Sequence, residues 1–448
     1  MFEKGLPGYV DTALDILEGG GFEACLVGGC VRDALLGREP HDYDIATNAM
    51  PEQTERLFSS YRTFEAGKRF GTVGAVIDGR KIEITTYRAE GGYEDRRHPG
   101  EVRFGVSLED DLARRDITVN AMAWSRRGGM TDPFGGREDL EKGVIRCVGD
   151  PVVRFSEDAL RILRVIRFSG RLGFSAEEST LRAMEQMKDG LEHISKERIR
   201  DELRGMLLCG RPSAPVGLAL RLAGRYVLPC MVPCVEQAGG AGDCGGVLER
   251  SLRALDAAPE DLEVRLAVLL CDAAKPLTAK TGRDGALRFC GHAAAGAVLA
   301  RRELFELRFD NASVQRVSRL IEWHCAALPD EARGVRRMYM HLGEELFRLL
   351  EVMRSFASAD GVGGAAQTER ISRISSTLEG IISAGDCVSL KTLAVGGDDM
   401  LALGFKGEQI GRILNSLLDR VADDPSLNRR GELLAAAEAM GKARGGGV

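Results

Sequence analysis

The feature that most constrains this chain is the stretch from Leu26 to Thr47, LVGGCVRDALLGREPHDYDIAT, where a glycine pair opens a short helical pattern and two aspartates follow, one residue apart. Residues 24–27 are strand-like, so Gly28 and Gly29 predict a sharp strand-to-helix turn with unhindered N–H groups, a place where anions bind. Asp42 and Asp44 lie in an extended segment whose period of two turns both carboxylates to one face, where they can share Mg²⁺. Each feature alone has a plainer reading, a packing turn in one case and a solvated D-x-D turn in the other.

The 448 residues suffice for about three domains by length and can bury a substantial core. A net charge of −6 argues against indiscriminate polyanion binding, so a nucleic-acid partner would have to be held by local basic patches. No apolar run approaches the ~18 residues of a membrane span, and the N-terminus lacks a signal-peptide core, so a cytoplasmic location away from membranes is expected. Eleven cysteines, an odd number scattered through the chain, predict reduced thiols. Cys230, Cys234 and Cys244 cluster loosely, but a fourth ligand at regular spacing is missing, which argues against zinc there.

In chain order, residues 9–18 predict a helix stopped by three glycines, and residues 51–58 a short helix. Residues 72–77 and 81–86 read as strands around Asp78-Gly79, giving a small mixed sheet. Glu83 alternates with Ile82 and Ile84, which suggests a carboxylate among apolar neighbours. Such a group needs a partner, either a structural ion pair or, the reading favoured here, a place as third acidic member of the Mg²⁺ site. Residues 88–102 carry glycines and a proline and predict a mobile loop. Arg114, Arg115 and Asp116 either open a solvated helix or serve a nucleotide, the guanidinium on the triphosphate and the carboxylate on a ribose hydroxyl.

Residues 157–167 predict one helix with Asp158, Arg161 and Arg164 along a common side. The plain reading is an exposed intrahelical ion pair. The reading favoured here is instead a reader of nucleobase edges. Cytosine and adenine present an amino donor beside a ring-nitrogen acceptor, which a carboxylate next to a guanidinium matches; guanine and uracil present the reverse order.

The ordered set GGCVRDALLG…DYD, EITTYR, RRDITVNA, DPFGG and EDALRILR spans residues 26–167 and resembles the class II CCA-adding enzymes, within the polymerase-β-like nucleotidyltransferases. The resemblance implies an α+β fold: a head with a small mixed sheet (1–147), then a helical neck (148–228), body (229–360) and tail (361–448). It implies Mg²⁺ on Asp42, Asp44 and Glu83 as catalytic residues. Nucleotide contacts are implied at Gly28, Gly29, Arg32, Arg115, Asp116, Asn120, Asp158, Arg161 and Arg164. The implied partners are CTP, ATP and the 3′ end of the tRNA acceptor arm, and the implied activity is addition of C, C and A. Enzymes adding only CC or only A share these motifs, and poly(A) polymerase shares the head. Nothing here fixes an oligomeric state.

Beyond residue 170 the amphipathic patterns predict helices without strands, interrupted near 229–246, 276–290 and 358–368. Residues 266–276 and 289–292 resemble the HD segment of many bacterial relatives, with Cys271-Asp272 where those have His-Asp. His292 and His324 remain, each expected to be structural, so the fold is expected without hydrolase activity. Arginines at 301, 302, 308, 316 and 319 make the neighbouring helices locally basic, and some could track RNA phosphates. The final Gly445-Gly-Gly-Val is expected to be disordered.

Overall fold

The first helix, α1 (Gly8–Gly19), buries Val10, Ala13, Leu14 and Leu17, the i, i+3, i+4, i+7 face of an amphipathic segment. The structure is a computed structural model that describes residues 5–65, 67–91, 101–236 and 246–445. It resolves into two compact units, Met1–Pro229 and Cys230–Val448.

In the first unit, β1 (Ala24–Val27) is buried along its whole length, as befits a central strand. There follow α2 (Gly29–Leu35), β2 (Asp44–Thr47), α3 (Pro51–Leu57), β3 (Arg62–Glu65), β4 (Thr72–Ile77) and β5 (Arg80–Thr86). A separate hairpin, β6 (Arg88–Gly91) with β7 (Glu101–Phe104), precedes α4 (Leu108–Ala113), β8 (Ala123–Ser125) and β9 (Gly129–Thr131). The main sheet runs β3-β4-β5-β2-β1-β8-β9. Only the β2–β5 pair in it is parallel, which makes the sheet mixed.

The β4–β5 hairpin turns at Asp78 and Gly79, both with positive φ (49° and 75°), the backbone twist that suits two-residue hairpin loops. Along β5 the side chains alternate, with Ile82, Ile84 and Thr86 buried and Glu83 exposed. Glu83 therefore does not sit among apolar neighbours. The period of two puts it on the face opposite the two isoleucines, so burial is not the reason for its presence. The expected loop 88–102 is bounded by the paired strands β6 and β7, and its residues 92–100 lie outside the described residues.

The helices of this unit are α5 (Gly136–Lys142), α6 (Pro151–Glu157), α7 (Leu160–Leu172), α8 (Glu178–Met187), α9 (Lys196–Leu207) and α10 (Ser213–Val227). The single helix expected over 157–167 is two. Asp158 leaves helical geometry (φ −150°, ψ 102°), and its carboxylate accepts from the Leu160 N–H at 3.1 Å. A short polar side chain bonding its own backbone is a common way to interrupt a helix whose apolar pattern continues.

The second unit is helical apart from Lys280–Thr281, which pairs antiparallel with Leu287–Arg288; this pair and Ser175–Ala176 of the first unit, parallel to Val144–Ile145, depart from the strand-free expectation beyond residue 170. The helices Gly397–Ala402, Glu408–Asp423 and Arg430–Gly445 close over a core that includes Met400, Leu417, Val421 and Leu433. Among the described residues no single helix is long and apolar enough to cross a membrane. Cys244 and residues 446–448 lie outside the described residues.

Replacing Gly79, exposed and at φ 75°, with valine should destabilise the first unit by about 1–2 kcal/mol, because a β-branched residue is strained there. Urea unfolding midpoints of the two proteins measure this; equal midpoints would contradict the turn geometry.

Candidate active site

The turn predicted at the glycine pair shapes one wall of a cavity of about 750 Å³ in the first unit. Gly28 caps α2 with φ 73° and ψ −128°, a conformation that L side chains rarely adopt. A Cβ there would lie 3.0 Å from Nη1 of Arg115, so the missing side chain lets a guanidinium rest against the backbone.

Among the described residues, nine arginines and three aspartates line the cavity. In a chain of net charge −6 this concentration of positive charge marks a seat for a polyanion. The arginines are held in fixed poses. Arg32 is buried and donates to Oδ1 of Asp33 at 2.8 Å and to Oδ1 of Asn120 at 2.6 Å. Burial lowers its pKa and the Asp33 charge opposes that shift. Arg115 donates to the Asn120 carbonyl at 3.4 Å and lies 3.5 Å from Asp111. Its Nε, also buried, has no hydrogen-bond partner among the described residues.

Asp116 is buried and accepts from Nε of Arg164 at 2.7 Å and from the Ile117 N–H at 3.0 Å. Burial alone would raise its carboxyl pKa; the Arg164 and Arg161 charges and these hydrogen bonds outweigh it and hold the group below the usual carboxylate range.

The intrahelical ion pair between Asp158 and Arg161, the plainer of the two readings, is not formed. The break after α6 turns Asp158 toward α9, where Arg198 grips it with two hydrogen bonds of 3.2 and 2.6 Å. Arg161 instead meets Glu157 at 2.6 Å and the carbonyls of Arg114 and Arg154 at 3.1 and 3.4 Å. Asp158, Arg161 and Arg164 still share the cavity wall.

Sequence reasoning missed Arg198, Arg171 and Phe168. The Phe168 ring lies 5.4, 5.7 and 4.3 Å from the guanidinium carbons of Arg32, Arg164 and Arg167, a shared aromatic surface for three cations. The spacing of Arg164 and Phe168 along α7 could have exposed part of this. Arg198 gave no local signal, because its partner is reached only by packing α9 on α7.

Of the three acidic residues, one reaches the same cavity. Asp44 lines it, and β2–β5 pairing sets Asp44 in register with Glu83. Asp42, two residues earlier, is exposed, and neither Asp42 nor Glu83 is part of the lining. Desolvation, then the like charges of Glu83 and Asp42, push the Asp44 carboxyl above its ordinary value, with Arg115 opposing. Three oxygen-bearing groups that repel one another fit a hard divalent cation, which would relieve that repulsion.

Arg164→Met should leave the buried Asp116 charge short of its main partner and cost on the order of 3 kcal/mol at neutral pH. Because the Asp116 pKa is depressed in the fold, this stabilisation is present above the unfolded-state value and is lost as pH falls through the folded one. The gap between wild type and variant in thermal unfolding should therefore narrow on strong acidification; a pH-independent gap would refute the charge argument.

The family profile described as "Poly A polymerase head domain" matches residues 24–146, and that described as "Probable RNA and SrmB- binding site of polymerase A" matches residues 173–222. A CCA-adding enzyme of Leuconostoc mesenteroides is 48% identical over 205 residues, 46% of this chain and 51% of that protein. With several such relatives the match spans about half of their length. The CCA-adding enzyme of Limosilactobacillus fermentum is 34% identical over 444 residues, 98% of this chain and 99% of that protein. Among solved structures, the Bacillus stearothermophilus CCA-adding enzyme in complex with CTP superposes with a TM-score of 0.74 at 28% identity, covering 98% of this chain and 99% of that one. With likeness along the whole chain in both sequence and fold, this protein belongs to the CCA-adding enzyme family of nucleotidyltransferases.

Proposed function

We propose that this chain adds C, C and A to the 3′ end of tRNA from CTP and ATP, releasing pyrophosphate. The observation that carries this reading is Asp44 of β2, in register with Glu83 of β5, lining an arginine-rich cavity in a chain that aligns over 98% of its length with a CCA-adding enzyme.

The incoming triphosphate occupies the cavity, its phosphates against Gly28, Gly29, Arg32 and Arg115. The ribose hydroxyl donates to Asp116, which Arg164 keeps ionised and oriented; Asn120 holds Arg32 and Arg115 in place. Asp42, Asp44 and Glu83 would hold Mg²⁺, which supplies charge neutralisation at the α-phosphate and makes the primer hydroxyl more acidic. The 3′-hydroxyl oxygen attacks the α-phosphorus and the bond to the bridging oxygen breaks. Its electron pair leaves with pyrophosphate, and the hydroxyl proton passes to solvent. No covalent enzyme intermediate is needed.

Base choice falls to Asp158 and Arg161. The carboxylate accepts from the amino group of C or A, and the guanidinium donates to the adjacent ring nitrogen. G and U would set acceptor against acceptor and donor against donor, at ~1–3 kcal/mol for each mispaired group. The tRNA 3′ terminus is the primer because the family is defined by that substrate. A solved relative, the Thermotoga maritima CCA-adding enzyme, is complexed with tRNA_CCA, and shares the fold at 20% identity.

The test offers tRNAs ending before the tail, after one C, and after CC, each with a single labelled nucleoside triphosphate. C is expected on the first two and A on the third, with no U or G. Incorporation of A alone, only onto the CC end, would replace the proposal with an A-adding enzyme; C alone, never A, would replace it with a CC-adding one. Asp44→Asn should reduce incorporation by at least about a thousandfold while tRNA binding survives, and retained turnover would overturn the metal assignment.

A further inference from the structure

The second unit holds a cluster that nucleotide addition does not use. His292 opens the helix His292–Glu306, and His324 ends the helix Asn311–Trp323 with Cys325 next to it. Asp272 lies just beyond the helix Leu262–Leu270. The two imidazoles stand edge to face with centroids 5.2 Å apart, so these histidines are not the separate structural residues that the sequence suggested.

Their hydrogen bonds fix which nitrogen is available. Nδ1 of His292 lies 2.7 Å from the Phe289 carbonyl, and Nδ1 of His324 lies 2.6 Å from the Ile321 carbonyl. A carbonyl only accepts, so both Nδ1 atoms carry protons. In the neutral rings both Nε2 lone pairs point elsewhere. Cys325 Sγ is 3.5 Å from Nε2 of His292 and 3.2 Å from Nε2 of His324. Oδ1 of Asp272 is 3.8 Å from each Nε2. The other carboxylate oxygen of Asp272 is taken by Nη1 of Arg250 (3.2 Å) and Nζ of Lys275 (2.9 Å), which aims Oδ1 at the rings.

Three lone-pair atoms thus crowd together with a single thiol proton to share among them, and the Asp272 carboxylate stands 3.8 Å from both nitrogens. A cation at the centre removes the conflict. Metal–nitrogen bonds of ~2.0 Å and a metal–sulfur bond of ~2.3 Å in a tetrahedral shell imply nitrogen–sulfur separations of ~3.5 Å. The observed 3.5 and 3.2 Å match that span, and the two Nε2 atoms and Sγ lie within 4.8 Å of one another. The carbonyl-bound Nδ1 protons are the outer-shell support that orients metal-binding histidines.

We propose that His292, His324 and Cys325, with Asp272 as the fourth donor, form a Zn²⁺-class metal site that ties together the three segments carrying them. Imidazole and thiolate select a borderline-soft ion over Mg²⁺. With Asp272 drawn in as the ion binds, four protein donors fill the tetrahedral shell and leave no position for an attacking water, which makes the site structural and not hydrolytic.

The test uses the full chain, stripped with chelator and titrated with Co²⁺ in excess Mg²⁺, which keeps hard-oxygen sites occupied. One equivalent should bind with a thiolate-to-cobalt band in the near ultraviolet and the intense visible bands of a tetrahedral ion, and Zn²⁺ should displace it. Cys325→Ala alters an exposed residue; it should abolish the charge-transfer band, weaken binding at least about tenfold, and remove the rise in melting temperature that Zn²⁺ gives the wild type. Cys290→Ser, at another exposed thiol, should change none of these. No cobalt bound beyond the Mg²⁺ background, or a thiolate band that persists in Cys325→Ala, would overturn the proposal. None of these readouts depends on nucleotide transfer.

Discussion

Like charges crowded into one hollow are the constraint on which the first unit depends. Nine guanidinium groups line the cavity, and left free they would repel one another and wander. The fold fixes several of them with carboxylates drawn from separate elements: Asp33 on Arg32, Asp116 on Arg164, Asp158 on Arg198, Glu157 on Arg161 and Glu202 on Arg167. Phe168 adds an aromatic surface shared by Arg32, Arg164 and Arg167. The side-chain ordering that a triphosphate would otherwise have to impose is already done in folding, the preorganisation on which electrostatic catalysis rests.

What could be read from the sequence was what local geometry decides. The glycine turn before α2 and the hairpin at Asp78-Gly79 depend on neighbours a few residues away, and both stand in the structure. The break at Asp158 was hidden because the apolar pattern of α7 runs through it and only the carboxylate's bond to Leu160 interrupts the helix. Glu83 was placed beside Asp44 for a mistaken reason: its strand neighbours are apolar, yet they face the other way. Arg198, and the grouping of His292, His324 and Cys325, required knowing which helices pack together, and no spacing along the chain carries that.

The two candidate metal sites differ in kind. Asp42, Asp44 and Glu83 offer only carboxylate oxygens beside an open cavity, suited to an ion that also contacts a phosphate. The cluster of the second unit offers nitrogen and sulfur, with its histidines oriented by backbone carbonyls. With both sites filled as proposed, one chain would separate a hard, exchangeable ion from a soft, retained one by donor chemistry alone.

The saturation of Asp158 has a consequence for how finely a base can be read. An ionised carboxylate has about four lone-pair positions, and Leu160 and Arg198 already occupy three of this one. About one position is left over, room for a solitary exocyclic amine and nothing more. In the proposed role, such an acceptor would put a yes-or-no question to the incoming base, with the same answer for cytosine and adenine, whose rings differ in size but whose edges do not.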